Sequence, residues 1–580
     1  MEKALLLGDE AIARGAWEAG CRVVSSYPGT PSTEVTEAIA AYKEINAEWA
    51  PNEKVSLEVA FGAAMAGARA MACMKHVGLN VAADPLFTAA YTGVRAGLVV
   101  VVADDPAMFS SQNEQDSRYY ARSAHVPILE PSDSQECKDF TALAFALSEQ
   151  YDTPVLVRLT TRIAHARSLV TLGERLDRPV PAWEKEPQKY VMMPGNARRR
   201  HPIVEQREKK LAEDASEMEI NRIEMRDTTL GVVCASVCYP YVREAAPDAS
   251  VFKLGMTYPL PETALRAFAA KVERLIVIEE LEPFMEDSLK AMGLPAAGKA
   301  ETGLQGELGV RKVRRALFGG ETRLIAAPPQ VLPRPPALCP GCPHRAVFNI
   351  LRKQKLNVFG DIGCYTLGAT PPLNAMDATL CMGASIGMAF GAEKAQGKAF
   401  SRKSVAVIGD STFLHSGVTA LIDAVYNSGT ITVLILDNRI TGMTGHQENP
   451  ASGRDIYGSP APMLDLAALC QACGVKHVRT ADPYDQKALD AAVGEEVSRE
   501  AVSVIVVKWP CILLEKEHPA PYHVEGCKAC GVCMRLGCPA IGSGADRTVQ
   551  INPNTCVGCG LCASVCPFGC MKLLERGEHA

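Results

Sequence analysis

Residues 405–447 read VAVIGDSTFLHSGVTALIDAVYNSGTITVLILDNRITGMTGHQ. A short apolar run ends in Gly409-Asp410, a helical segment follows, and a second apolar run ends in Asp437-Asn438. Continuous apolar runs joined through a helix read as neighbouring strands of a parallel sheet buried on both faces. Asp410 and Asn438 then stand at the carboxyl ends of two strands, where open α/β sheets bind ligands. The same pattern recurs in AGLVVVVADD (96–105), DTPVLVRLT (152–160), TTLGVVCASVCYPYV (228–242) and VERLIVIEEL (272–281). The expected fold class is therefore α/β, multidomain.

The chain has 580 residues, which suggests about four domains. Sixty basic residues against 66 acidic ones give a net charge of −6, which argues against a nucleic-acid-binding surface as the main purpose. No apolar run reaches the roughly 18 residues that span a bilayer, and ALLLGDEAIARGA near the N-terminus does not read as a signal peptide. A cytoplasmic protein with no membrane partner is expected. The sequence divides into an α/β block at 1–165, a proline-containing charged segment with a solvated helix at 166–227, a second α/β block at 228–330, a third at 331–518 and a cysteine-rich module at 519–580. VLPRPPAL (331–338) marks the last-but-one boundary. The basic ARRRH (197–201) reads as part of the solvated helix, not as a nucleic-acid patch.

Nine of the 21 cysteines fall between Cys527 and Cys570. Such clustering in a cytosolic chain points to metal. The runs are Cys527-x2-Cys530-x2-Cys533-x4-Cys538-Pro539 and Cys556-x2-Cys559-x2-Cys562-x3-Cys566-Pro567. They resemble two-cluster bacterial ferredoxins, in which the fourth cysteine of each run serves the other cluster. That resemblance implies one [4Fe–4S] cluster on Cys527, Cys530, Cys533 and Cys566, and a second on Cys556, Cys559, Cys562 and Cys538. The first run departs from the usual spacing by one extra residue before Cys538. The competing reading is a pair of zinc knuckles. Cys570 has no ligand slot and reads as a buried thiol.

Gly409-Asp410-Ser411 followed by Asn438 resembles the Gly-Asp-Gly…Asn motif of thiamine-diphosphate enzymes, with Ser411 where the motif has glycine. Mg²⁺ between a diphosphate and the protein wants hard oxygen ligands. The resemblance supplies Asp410, Asn438 and the carbonyl of Ile440, with Gly409, Ser411 and Thr412 at a helix N-terminus facing the phosphates. Gly383 and Ala384, in LCMGASIGMAFGA, are further cofactor contacts, or else a site of close helix packing.

With YPGTPSTEV (27–35), CPGCPH (339–344) and DIGC (361–364), the likeness extends over nearly the whole chain to the 2-oxoacid:ferredoxin oxidoreductases. The domain order is that of the large, alpha-type subunit of the members acting on arylpyruvates of the indolepyruvate class. The resemblance implies a pyrimidine-binding thiamine domain at 1–165, a transketolase C-terminal-like domain at 228–330, a diphosphate-binding thiamine domain at 331–518 and an α+β two-cluster ferredoxin-like module at the end. It places Glu53, with Glu58 as second choice, beside N1′ of the aminopyrimidine. Thr30 lies near thiazolium and substrate, or else caps the following helix. Lys75, His76, Asn80 and Arg118 are candidates for holding the oxoacid carboxylate. The resemblance further implies a third, proximal [4Fe–4S] site on Cys339, Cys342, Cys364 and Cys511, the alternative being a structural loop with scattered buried thiols, while Cys470 and Cys473 read as helix core. The implied reaction is oxidative decarboxylation with coenzyme A, giving arylacetyl-CoA, CO₂ and reduced ferredoxin. A smaller beta subunit with the gamma-type domain is an expected partner. Pyruvate, 2-oxoglutarate and branched-chain oxoacids, or a non-oxidative thiamine decarboxylase, are the alternatives.

Overall fold

The computed structural model describes residues 2–320 and 335–574. The chain forms two compact units, 1–327 and 328–580. The sequence boundary at 330/331 and the first half of VLPRPPAL lie outside the described residues. Among these residues no helix is long and apolar enough to cross a membrane.

The first unit is built on a seven-stranded sheet in the order Met256–Tyr258, Ile128–Leu129, Val155–Thr160, Leu98–Asp104, Ala70–Lys75, Val23–Ser26, Asn46–Trp49. All pairings are parallel except the first, which is antiparallel. Leu98–Asp104 is buried at every residue, as its unbroken apolar run requires of a strand covered on both faces. Met256–Tyr258 comes from the block expected to form a separate domain. The rest of that block, with Arg222–Glu224 from the segment expected as a linker, makes a five-stranded sheet, Ala296–Ala297, Arg274–Ile278, Asp227–Ala235, Ala249–Leu254, Arg222–Glu224, and one apolar core runs through both sheets' helices.

The segment expected as a linker is corrected by the structure. Arg167–Thr171 pairs antiparallel with Lys3–Leu7. The helix Pro194–Ala215 is not solvated all round: Val204, Leu211 and Ala215 are buried. Its Arg207 donates to the carbonyls of Asp152 (2.9 Å) and Ala90 (3.0 Å). Within ARRRH, Arg200 donates to the Tyr91 carbonyl and His201 stacks on the Tyr91 ring. The mostly charged sequence hid this because the helix buries only a narrow stripe and turns Arg200 and Arg207 onto backbone carbonyls.

A buried charge network joins the two sheets of this unit. The Arg118 guanidinium donates to Asp116 (2.9 Å from Nε) and Glu279 (2.6 Å), and to the carbonyl of Glu280. Arg158 donates to Asp104 (2.6 Å) and Glu130, and Glu130 accepts from Thr257 at 2.6 Å. Each of these charged groups is at most 3% exposed except Asp116, at 6%. Two guanidiniums face four carboxylates, and burial pushes the Asp104 and Glu279 carboxyls up.

In the second unit a parallel sheet runs Asn357–Phe359, Ser404–Gly409, Thr432–Asp437, Ser503–Lys508, His477–Ala481. Alternate residues feed two cores: Val405, Val407, Leu434 and Leu436 on one face, Ala406, Ile408, Val433 and Ile435 on the other. The terminal module has two small antiparallel pairs, Tyr522–Val524 with Met571–Leu573 and Ile541–Ser543 with Val549–Ile551. Its core includes Ala346, from the helix Pro343–Gln354.

Replacing Arg118 with Met leaves two buried carboxylates without their cation. We expect a loss of about 3–5 kcal/mol, read from urea unfolding. An unchanged midpoint would show that the network does not hold the two sheets together.

Candidate active site

Gly409 ends its strand and Asp410 opens a helix that runs through a π-type turn, Phe413–Gly417, to Tyr426. Asp410 is 2% exposed. Its Oδ1 accepts from Ser411 N at 2.8 Å and its Oδ2 has no hydrogen-bond partner among the described residues. Burial, and then the charge of Asp437, push this carboxyl up to about 7. The side-chain amide of Asn438 lies 3.3 Å from Asp410 Oδ1 and 2.8 Å from the Ile440 carbonyl. Three groups that carry oxygen donors thus converge, and the buried Asp410 Oδ2 offers a hard ligand to a divalent cation. The residues present therefore fit a Mg²⁺-bridged diphosphate. Ser411, the departure from the motif, accepts from the Thr441 hydroxyl at 3.1 Å.

Two residues that sequence reasoning passed over complete this cradle. Asp361 is fully buried and accepts from Gly383 N (2.9 Å) and Ser385 N (3.0 Å), which pins the glycine-rich helix start to the DIGC loop. Gly383 has φ +86°, and a Cβ there would meet Ser416 Cβ at 2.5 Å, so close packing explains the glycine. His344 Nε2 lies 3.5 Å from Asn438 Nδ2, and burial pulls its imidazole down to about 4. DIGC and CPGCPH were legible as motifs, but their Asp and His had no partner in sequence.

The thiols group as the two runs imply. Burial, and then the charges of Cys530, Cys566 and Cys527, push the Cys533 thiol up. Burial, and then Cys559, Cys556 and Cys538, push Cys562 up to about 12. The extra residue in the first run is taken up by a 3₁₀ turn, Cys533–Leu536, closed by Gly537 in the left-handed region. Among the described residues no three cysteine sulfurs lie within 4.8 Å of one another. One tetrahedral zinc at about 2.3 Å from each sulfur would need that closeness. A cubane places each thiolate on a different iron and holds them further apart. Cys570 is buried, and its thiol donates to the Gly526 carbonyl at 3.4 Å. Cys470 is core on the helix Leu466–Ala472; Cys473, at its end, is half-buried.

Cys339, Cys342, Cys364 and Cys511 also come together. Burial, and then Cys511 and Cys339, push Cys364 up to about 11; Cys342 feels both Cys339 and Cys364. The Cys511 amide donates to the Asn438 carbonyl at 3.0 Å, so this set adjoins the oxygen triad.

In the first unit Glu53 is 4% exposed and opens the helix Glu53–Met65, capped by Asn52. Gly78 allows its approach, since a Cβ there would lie 2.6 Å from Glu53 Oε1. Glu58 is exposed and paired with Lys54. Thr30 is half-buried and caps no helix; Ser32 holds the cap position. Lys75 is buried and donates to the Ser110 carbonyl at 2.6 Å; burial pulls its ammonium down to about 8. His76 meets Ser111 Oγ at 3.3 Å, and burial, then the Lys75 charge, pull it down to about 4. Asn80 is exposed. Arg118 is fully engaged by Asp116 and Glu279 in the buried network, which corrects its reading as a free carboxylate binder.

The family "Pyruvate flavodoxin/ferredoxin oxidoreductase, thiamine diP-bdg" matches residues 14–227, "Thiamine pyrophosphate enzyme, C-terminal TPP binding domain" matches 361–507, and "4Fe-4S binding domain" matches 549–572. Indolepyruvate oxidoreductase subunit IorA of Archaeoglobus fulgidus is 39% identical, covering 98% of this chain and 97% of its own. The subunit of the same name from Methanothermobacter thermautotrophicus is 41% identical, covering 99% and 98%. The chain belongs to the IorA family of 2-oxoacid:ferredoxin oxidoreductase subunits. The 2-oxoglutarate synthase subunit KorA of M. thermautotrophicus is 32% identical over 30% of this chain and 49% of its own. Membership makes the chain part of a thiamine-diphosphate-dependent enzyme with an iron–sulfur domain.

Asp410→Ala removes one oxygen of the triad. The variant is expected to purify without bound thiamine diphosphate while its iron–sulfur absorption survives. Stoichiometric cofactor in that variant would move the cation site elsewhere.

Proposed function

We propose that this chain is the catalytic subunit for oxidative decarboxylation of arylpyruvates of the indolepyruvate class, with coenzyme A as acyl acceptor and ferredoxin as electron acceptor. One observation supports it above the others: the cysteine set 339/342/364/511 abuts the oxygen triad through the Cys511–Asn438 hydrogen bond. A non-oxidative decarboxylase exports no electrons and has no use for an acceptor there.

Asp410, Asn438 and the Ile440 carbonyl hold Mg²⁺, and Gly409, Ser411 and Thr412 offer the helix N-terminus to the diphosphate. Bound there, thiamine diphosphate would supply a carbon nucleophile and an electron sink for decarboxylation. Glu53 exchanges a proton with N1′ of the aminopyrimidine, a task that suits a buried carboxyl better than the exposed Glu58. With Arg118 committed elsewhere, Lys75 is the cation for the oxoacid carboxylate, and neutral His76 and Thr30 line its surroundings. Cys339, Cys342, Cys364 and Cys511 hold a proximal [4Fe–4S] cluster, and the terminal module holds two more. A smaller beta subunit completes the enzyme; the relatives' names as subunits support a partner.

The reading is tested on full-length protein purified with its partner subunit. Viologen reduction should be faster with indolepyruvate than with pyruvate or 2-oxoglutarate, and should depend on coenzyme A. A preference for pyruvate or 2-oxoglutarate would reassign the substrate. Glu53→Gln should keep the cofactor yet slow deuterium exchange at C2 at least a hundredfold, in line with the roughly 10²–10⁴-fold contribution of a positioned acid–base group; wild-type exchange would take the role from Glu53. Three clusters amount to about twelve irons, and Cys364→Ser should lower this to about eight. Undiminished iron in that variant would leave the four cysteines as structural thiols.

A further inference from the structure

Arg345 is 3% exposed on the helix Pro343–Gln354. It donates to the carbonyls of Leu536 (2.6 Å), Leu338 (2.5 Å) and Cys339 (3.3 Å), while Nε has no acceptor. No carboxylate of the described residues pairs with it, unlike Arg118 and Arg158. A guanidinium stays charged at any pH a protein meets. A buried charge that native structures retain is paired or coordinated. The groups that can supply the missing negative charge are thiolates. Arg345 lines one cavity with Cys342, of the proximal set, and with Cys538, Cys556, Cys559 and Cys562, of the second ferredoxin-type set.

The two cysteine loops touch at this point. Gly341, inside Cys339-x2-Cys342, has φ +70°, and a Cβ there would meet Val557 Cγ2 at 2.2 Å. Val557 lies inside Cys556-x2-Cys559. Through Leu536 and Cys339 the guanidinium clasps the backbone leading to Cys538 and the backbone of the proximal loop. Cys530, of the remaining set, is exposed.

We propose that Arg345 is the shared counter-cation of two iron–sulfur clusters, that of the proximal set and that of Cys538, Cys556, Cys559 and Cys562, screening their mutual repulsion so that both can be reduced in one molecule. This rests on the reading that Cys339, Cys342, Cys364 and Cys511 hold a cluster. Oxidative decarboxylation releases two electrons, and each transfer moves one. The donor core goes from 1+ to 2+ as the acceptor core goes from 2+ to 1+; no bond forms or breaks and no proton moves. A fixed cation between the clusters favours the more negative, reduced form of each, because net charge is one of the terms that set cluster potential. Arg345 is a tuning residue, since it touches neither substrate nor thiamine.

The test is an EPR-monitored redox titration of the full-length holoprotein as wild type, Arg345→Lys and Arg345→Gln, with iron counted in each. In Arg345→Gln the potentials of two of the three clusters should fall by at least the 59 mV that corresponds to a tenfold change in a one-electron equilibrium. The third, surface cluster should not move and serves as internal control. Arg345→Lys keeps the charge and should keep the wild-type potentials. Full iron with unchanged potentials in Arg345→Gln overturns the proposal. If the glutamine variant loses iron, the lysine variant decides: full iron and wild-type potentials support the charge role, and loss of iron there too makes Arg345 a structural clasp and overturns it. Cys364→Ser separates the two readings. If that variant keeps all its iron, the proximal cluster fails by itself, and a shift confined to one cluster in Arg345→Gln reports the same result.

Discussion

A charge taken out of water must meet an opposite charge or a metal, and much of this structure is arranged around that cost. In the first unit one cluster meets the demand within the protein: Arg118 and Arg158 face Asp104, Asp116, Glu130 and Glu279. The Arg118–Glu279 pair binds the 1–165 layer to the 228–320 layer, and the donated strand Met256–Tyr258 does the same through backbone bonds. In the second unit the demand is left open twice. Asp410 is a buried anion whose outer oxygen meets nothing, and Arg345 is a buried cation whose neighbours are carbonyls and thiols. One asks for a divalent metal and the other for anionic clusters.

Parallel sheets explain where the first of these demands arises. Every strand of the 357–508 sheet runs the same way, so the groups that follow the strands gather along one edge. Asp410, Asn438 and Cys511 all follow the carboxyl ends of strands there. The cation site and the nearest thiols are thus neighbours because the strands ending at Gly409, Asp437 and Lys508 are neighbours. The helix Pro343–Gln354 carries the chemistry onward, with Cys342 at its cap, His344 against Asn438, and Arg345 and Ala346 against the terminal module.

Much of this was legible in the residues. Unbroken β-branched runs allow only strands covered on both faces, and local spacing of cysteines around a cubane is a property of one turning loop. Gly409-Asp410 and Asp437-Asn438 declared themselves for the same reason: each sits within a few residues of the strand it terminates. The helix Pro194–Ala215 was misread as solvated because arginines that bond to backbone carbonyls look, in sequence, like arginines that bond to water.

What the sequence by itself determined is therefore local: the α/β class, the ferredoxin-type runs, the oxygen donors at strand ends. Tertiary structure alone decided the rest. It engaged Arg118 with partners as distant as Glu279 and buried Glu53 while exposing Glu58. It put Asp361 under Gly383, set Cys511 against Asn438, and left Arg345 without a carboxylate. The physical reason is that a charge's behaviour depends on solvent and on neighbours remote in the chain, and neither is encoded within the few residues that carry a motif.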